Sequence, residues 1–198
     1  MAKENYHHGE LRRALLEAAV AGIESNQGQI PSFRELARAV GVTSGAPFHH
    51  FKNREELLGA IAADGFENLL AELREAVAST SDAEDRVAEL ARRYIRFGRV
   101  RRAYYRIMFG PECATILSAV EVQAASCLQV LDDTVLMLHS DPLSAHAISL
   151  SIWALLHGIV DLGVGGPLEK KVTAEELEEL AVQATVALTR ANSSNLPG

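Results

Sequence analysis

The chain has 198 residues, 48% of them apolar and 23% charged, with only 6 Pro, which is the composition of a folded globular protein with a real core rather than a disordered or fibrous one. Its two cysteines, Cys113 and Cys127, are too few for a disulfide framework, and no charged-then-apolar leader opens the chain, so the expected setting is reducing and cytoplasmic. The formal net charge of −7 argues at first against a nucleic-acid partner. Its distribution reverses that: in residues 1–60 seven cations (Lys3, Arg12, Arg13, Arg34, Arg38, Lys52, Arg54) balance seven acids, so the deficit lies wholly in the remainder.

Apolar residues recur at spacings of three and four throughout, with no sustained alternating run, so an all-α fold is predicted. Leu11, Leu15, Ala18, Ala19 and Ile23 make the inner stripe of a first helix that ends near the polar residues 25–29. Ser32 followed by Glu35 is a capping box, in which each side chain satisfies a backbone donor of the other. It starts a short helix carrying Leu36, Ala37 and Val40, which Gly41 ends because glycine tolerates the positive φ of a helix-terminating turn. Thr43 is placed to cap a third short helix, where Pro47 is tolerated in the first turn, and Asn53 caps a fourth with Glu55 and Glu56 at its positive end.

Longer helices follow, predicted over about 53–78, 83–109, 112–139, 142–163 and 173–191. The breaks fall at residues 79–82, Gly110-Pro111, Asp141-Pro142 and the glycine-rich run that ends at Pro167. The most apolar stretch, 147–166, is interrupted by Ser149, Ser151, His157 and Asp161, and a mid-span carboxylate is costly in lipid, so it reads as a core helix and no membrane partner is expected. The domain boundary implied is a helix-turn-helix module over 1–58 and a larger helical bundle over 59–198.

The second and third helices, split by Gly41, have the layout of a helix-turn-helix. The second helix of that motif enters a groove walled by phosphates, so its leading face must be small or polar. Thr43, Ser44, Gly45 and Ala46 meet that need, Val42 and Phe51 would face the module's interior, and Lys52 with the following helix start would meet a phosphate by charge and by open backbone donors.

From Ser32 to Leu58 the chain resembles the DNA-binding region of the TetR family of transcriptional regulators: the capped short helix, the Gly41-Val42-Thr43 turn, Phe48-His49-His50-Phe51, and the Asn53-Arg54-Glu55-Glu56 helix start. Further on, Tyr94, Phe97, the run Tyr105 to Gly110, and Trp153 with His157-Gly158 resemble the WHG-type ligand-binding domain of one branch of that family. The resemblance implies a homodimer that reads palindromic double-stranded operator DNA and is released by a small-molecule effector, most often as a repressor. Carried over by position, it implies Thr43, Ser44, Phe48 and His49 in or beside the major groove and Lys52 and Arg34 on phosphates. Two departures stand out. Phe48 occupies a place where family members often have a Tyr whose hydroxyl reaches a phosphate, and Arg101-Arg102 stands where a His-Pro is usual.

Other features admit plainer readings. Adjacent helical residues diverge by about 100°, so neither His7-His8 nor His49-His50 can chelate one ion as an i, i+4 pair would, and no metal or cofactor is expected. His7 and His8 fit an N-terminal arm near phosphate or a solvated one. Arg92, Arg93, Arg96, Arg99, Arg101, Arg102 and Arg106 form either an anion-binding surface for an acidic effector or a solvated face neutralised by neighbouring acids. Trp153 and His157 share a helical face, as core residues or as effector contacts beside Tyr104, Tyr105, Met108 and Phe109, with His157 as the polar anchor. Small residues Ala145, Ser149, Ala154 and Gly158 allow close helix approach, so the last two helices are assigned to a two-fold four-helix dimer interface. No nucleophile elbow, phosphate loop or HExxH supports an enzyme. The rival reading is a helical small-molecule-binding protein that no longer reads DNA, and a minor variant senses redox state through the two thiols.

Overall fold

The computed structural model describes residues 2–26 and 28–193, with the side chains of 2–8, 117 and 192–193 outside the description. The reading of His7 and His8, and that of the tail beyond 193, therefore lie outside the described residues. The described elements are helical and include no strand: α1 (Ala2–Ser25), α2 (Phe33–Ala39), a 3-10 turn (Ala46–His49), α3 (Arg54–Ala78), α4 (Ala83–Val100), α5 (Arg102–Phe109), α6 (Cys113–Leu136), α7 (Pro142–Gly163) and α8 (Ala174–Ser193).

The chain divides into two compact units, one of residues 1–65 with 102–121 and one of 66–101 with 122–198. The first unit thus adds α5 and the start of α6 to the N-terminal helices. Leu15, Ala19 and Ile23, one turn apart on α1, are buried, as are Leu36 and Ala37 of α2, Phe51, and Leu57, Leu58 and Ile61 of α3. Ala103, Ile107 and Met108 supply a buried face of α5, which packs against α1. At the α1–α2 connection Gly28 holds φ +87 and donates its amide to the Ile23 carbonyl at 2.8 Å. A Cβ there would fall 2.6 Å from the Arg106 guanidinium, so α5 lies tightly over this turn.

Ser32 and Glu35 form the anticipated capping box, which starts α2. Gly41, at φ +74, ends the turn after it, while the Val42 amide donates to the Ala37 carbonyl at 2.9 Å and brings the chain back over the helix. The third helix differs from expectation. It is a 3-10 turn beginning at Ala46, preceded by Gly45 with no side-chain cap, so Thr43 does not cap it. Successive bonds from Ala46 to Thr43, Phe48 to Gly45 and His50 to Pro47 span three residues each. Pro47 has no amide proton for the four-residue bond to Thr43 that an α-helix would need there. Asn53 caps α3 as anticipated, its Oδ1 accepting from the Glu56 amide at 2.8 Å.

In the second unit α4 packs against α8, and both pack against α7. Val87, Leu90, Ala91, Tyr94, Ile95 and Phe97 of α4 meet a core that includes Ile148, Ile152, Leu156 and Val160 of α7 and Leu177 and Ala181 of α8. The helix anticipated over 83–109 is two helices. Arg101, at φ −109 and ψ 52, separates them, its amide closing α4 onto the Phe97 carbonyl. No Gly or Pro marks the break, and Arg is a good helix former, so local propensity gave no warning of it.

Candidate nucleic-acid interface and effector residues

The turn between α2 and α3 presents its residues outward. Thr43, Ser44, Gly45, His49 and Lys52 are exposed, Arg34 is exposed on α2, and Ala46 is half-buried. Pro47 and Phe51 turn inward and are buried, Val42 is half-buried, and Arg12 of α1 stacks its guanidinium 5.2 Å from the centre of the Phe51 ring. This inward side fixes the turn on the core while the opposite side is left to solvent. Phe48 is 55% exposed, and the edge of its ring pair with Phe33 is well defined, at 4.8 Å between centroids and 79° between planes.

The electrostatics of this edge are modest. Hydrogen bonds from the Ser32 hydroxyl and amide hold Glu35 below the usual carboxylate range, so it stays ionised at the start of α2. At the start of α3 the expectation of open backbone donors is only partly met. The Lys52 amide donates to Glu56 Oε2 at 2.8 Å and the Glu56 amide is held by Asn53, so these two donors are not offered outward. The exposed Lys52 ammonium is a group that can meet an anion there, beside the exposed Arg54.

The six candidate effector residues are split between the units. Tyr104, Tyr105, Met108 and Phe109 lie on α5 in the first unit, and Trp153 and His157 on α7 in the second. The Tyr104 hydroxyl donates to Asp64 Oδ2 of α3 at 2.5 Å, Tyr105 packs on Phe109 with centroids 5.0 Å apart, and Met108 is fully buried.

Trp153 and His157 form a tight trio with Tyr94 of α4, ring centroids lying 5.2–5.6 Å apart. His157 Nδ1 lies 2.8 Å from the Trp153 carbonyl oxygen, which accepts only if Nδ1 carries the proton. The Tyr94 hydroxyl, 3.1 Å from Nε2, then donates to that nitrogen. Burial pushes the imidazole below its ordinary value, against smaller opposing effects of the Trp153 carbonyl and Asp161, so His157 is neutral at neutral pH. Both ring nitrogens are engaged within the protein. Of the partners of these side chains, Tyr94, 2% exposed, belongs to the residues that carry the WHG-type resemblance, whereas Asp64 has no such signal in the sequence. Tyr94 sits in the inward stripe of α4, whereas nothing in the spacing of Asp64 points to α5.

The arginine run is mostly neutralised. Arg92 and Arg93 share Glu89, Arg93 also meets Glu75, Arg99 meets Glu178 and Arg101 meets Glu72. These pairs favour the solvated-face reading over an anion site. Among the described residues no group of three or more His, Cys, Asp or Glu could hold a metal. Cys113 and Cys127 both lie on α6, fourteen residues and so about 21 Å apart along its axis, far beyond disulfide reach. Burial pushes the Cys127 thiol up to about 12.

Helix α7 is long and apolar enough to cross a membrane by length and composition, and less than half of its apolar stretch is buried. One side fills the core. The other leaves Leu143 83% exposed, with Leu150 and Leu162 about half exposed and Ala147 and Ala154 between them.

Among solved structures, a protein of unknown function from Rhodococcus sp. RHA1 is 32% identical, with 94% of this chain and 97% of that one covered and a TM-score of 0.73. The fold is shared by the fatty acid degradation regulator FadR from Bacillus halodurans, at 16% identity over 88% and 94% of the two chains, TM-score 0.72. It is shared also by the TetR family transcriptional regulator PfmR from Thermus thermophilus, at 16% over 89% and 97%, TM-score 0.64. No curated protein sequence matches. Residues 31–61 match the family described as bacterial regulatory proteins, tetR family, and residues 87–187 match the tetracyclin repressor-like C-terminal domain. The chain belongs to the TetR family of bacterial transcriptional regulators.

Proposed function

We propose that this protein is a cytoplasmic, effector-released repressor that binds a palindromic operator as a homodimer, with residues 1–58 reading DNA and residues 59–198 binding effector and partner. The observation that carries the reading is the exposed edge of Thr43, Ser44, Gly45, His49 and Lys52, backed by the buried Phe51 and Pro47. Small and polar groups at the tip permit approach to base edges, and a cation at its end suits phosphate.

Dimerisation is assigned to α7 and α8. The bare apolar side of α7 is a surface that a monomer leaves in water at a cost of about 25 cal/mol for each Å². Gly158 has open space where a Cβ would stand, so another helix can approach it closely. A two-fold pairing would set two reading modules about one DNA turn apart, or a multiple of it.

Effector contacts are assigned separately in each unit, to Tyr104, Tyr105, Met108 and Phe109 in the first and to Trp153 and His157 in the second, and Trp153, His157 and Gly158 keep the WHG-type resemblance as part of that proposal. Helix α3 carries the signal, because it begins in the first unit at its Asn53 cap and continues past Gly65 into the second. An effector acts by binding one arrangement of the modules more tightly than the other.

Selection of bound sequences from a random duplex pool tests the reading. Enrichment of a palindrome supports it. A folded dimer that enriches nothing supports the rival reading, a small-molecule-binding protein that no longer reads DNA, which the balanced charge of residues 1–60 and the missing hydroxyl at Phe48 favour.

A further inference from the structure

Phe48 is the large apolar side chain left exposed among the described side chains of the first unit, and it stands on the same turn as exposed Thr43, Ser44 and His49. Its neighbour Phe33 meets it nearly perpendicular at 4.8 Å, so the ring is held in place at the edge rather than left to swing. Phe33 is itself half-buried and is the first residue of α2, the helix fixed by the Ser32–Glu35 capping box.

A phenyl ring has no donor or acceptor. It cannot make the phosphate hydrogen bond that a hydroxyl at this position would make, and it gains nothing by facing a charged backbone oxygen. The bases offer the major groove one apolar group, the 5-methyl of thymine, and Phe is among the side chains suited to contact it. Ala46 and Gly45 beside it are too small to hold the ring away from the groove floor.

We infer that Phe48 is a specificity-determining residue that reads the 5-methyl group of a thymine in each operator half-site, with Phe33 as the positioning residue that holds its ring. The inference rests on the DNA-reading proposal above.

Thymine-to-deoxyuridine replacement, one position at a time in a selected duplex, removes the methyl group alone. At one thymine in each half-site the replacement weakens wild-type binding by about three- to tenfold, the scale of one buried methyl group or slightly more. Phe48→Ala loses a similar factor on the thymine duplex and no further factor on the deoxyuridine duplex, whereas Phe48→Leu keeps part of the discrimination. Phe33→Leu lowers the thymine-to-deoxyuridine ratio and leaves the salt dependence of binding unchanged, which a general loss of structure would not do.

Equal loss for wild type and Phe48→Ala at every thymine would overturn the inference, because another group would then read the methyl. Insensitivity of wild type to every replacement would overturn it too, as would tighter, more salt-dependent binding by Phe48→Tyr with no thymine preference, which would turn the ring toward phosphate. If no duplex is bound in a salt-dependent way, the DNA-reading proposal itself fails, and that outcome is distinct from bound operators that ignore the methyl.

Discussion

The Tyr104 hydroxyl donates to the Asp64 carboxylate at 2.5 Å, which ties the eight-residue helix α5 to the middle of α3. Arg106, two residues further on, lies against Gly28 in the α1–α2 connection, so one short helix contacts both α3 and that connection within the same unit. Tyr104→Phe removes this donor and one hydrogen bond, which costs about 1 kcal/mol of stability. The expected phenotype is a changed effector response with operator affinity within about threefold of wild type. Equilibrium unfolding and operator titration with and without effector measure both quantities, and a loss of operator affinity as large as the change in response would separate Tyr104 from effector sensing.

The turn assigned to DNA reading has its own stability requirements. Gly41→Ala puts a Cβ on a residue at φ +74, a conformation that costs an L-residue about 1–2 kcal/mol. Ser32→Ala breaks the capping box and costs about 1 kcal/mol. Chemical denaturation of both variants should show lower midpoints with unchanged slope. No drop for Gly41→Ala would mean that the turn relaxes without strain.

His157 makes stability pH-dependent in a defined direction. Burial, as the largest cause, lowers its pKa in the folded protein below the ordinary 6.5, so the unfolded chain takes up a proton first as the pH falls. The stability contribution of the neutral imidazole is therefore whole above pH 6.5 and is lost below it, until the folded-state value is passed. Protonation would also deprive Tyr94 of its acceptor at Nε2. Unfolding measured from pH 7.5 to 5 should show wild type losing more stability than His157→Asn across that window, and parallel curves would contradict this account.

On α7, Leu150→Glu sets a charge on an exposed apolar face and leaves the core untouched. Sedimentation should show the wild type as a dimer and the variant as a folded monomer with weakened operator binding. A variant that stays dimeric would move the interface away from this face.

Much of this structure is visible in residue spacing. The Ser32–Glu35 box, Gly41 and Asn53 are local devices whose chemistry is complete within four residues, so α2 and the start of α3 could be anticipated closely. The 3-10 turn at Ala46 was less legible, because Pro47 fits the first turn of an α-helix as well as a tighter one. The break at Arg101 carries no local signal, and its guanidinium meets Glu72, a partner twenty-nine residues away. The candidate effector residues were legible as aromatic clusters, but the hydrogen bonds that Tyr104 and His157 make were not. Asp64 and Tyr94 reach Tyr104 and His157 only through the packing of separate helices. The acid partners of the arginine run, Glu75 and Glu178 among them, are likewise a product of tertiary structure.

The most direct test of the central claim is titration of a selected palindrome, against a scrambled duplex of equal length, at two salt concentrations with wild type and Lys52→Ala. The account predicts preference for the palindrome, affinity that falls steeply with salt, and for Lys52→Ala a log–log slope shallower by about two, one phosphate for each half-site. Equal affinity for both duplexes, or a salt slope that Lys52→Ala leaves unchanged along with the affinity, would contradict a DNA-reading role for the edge that runs from Thr43 to Lys52.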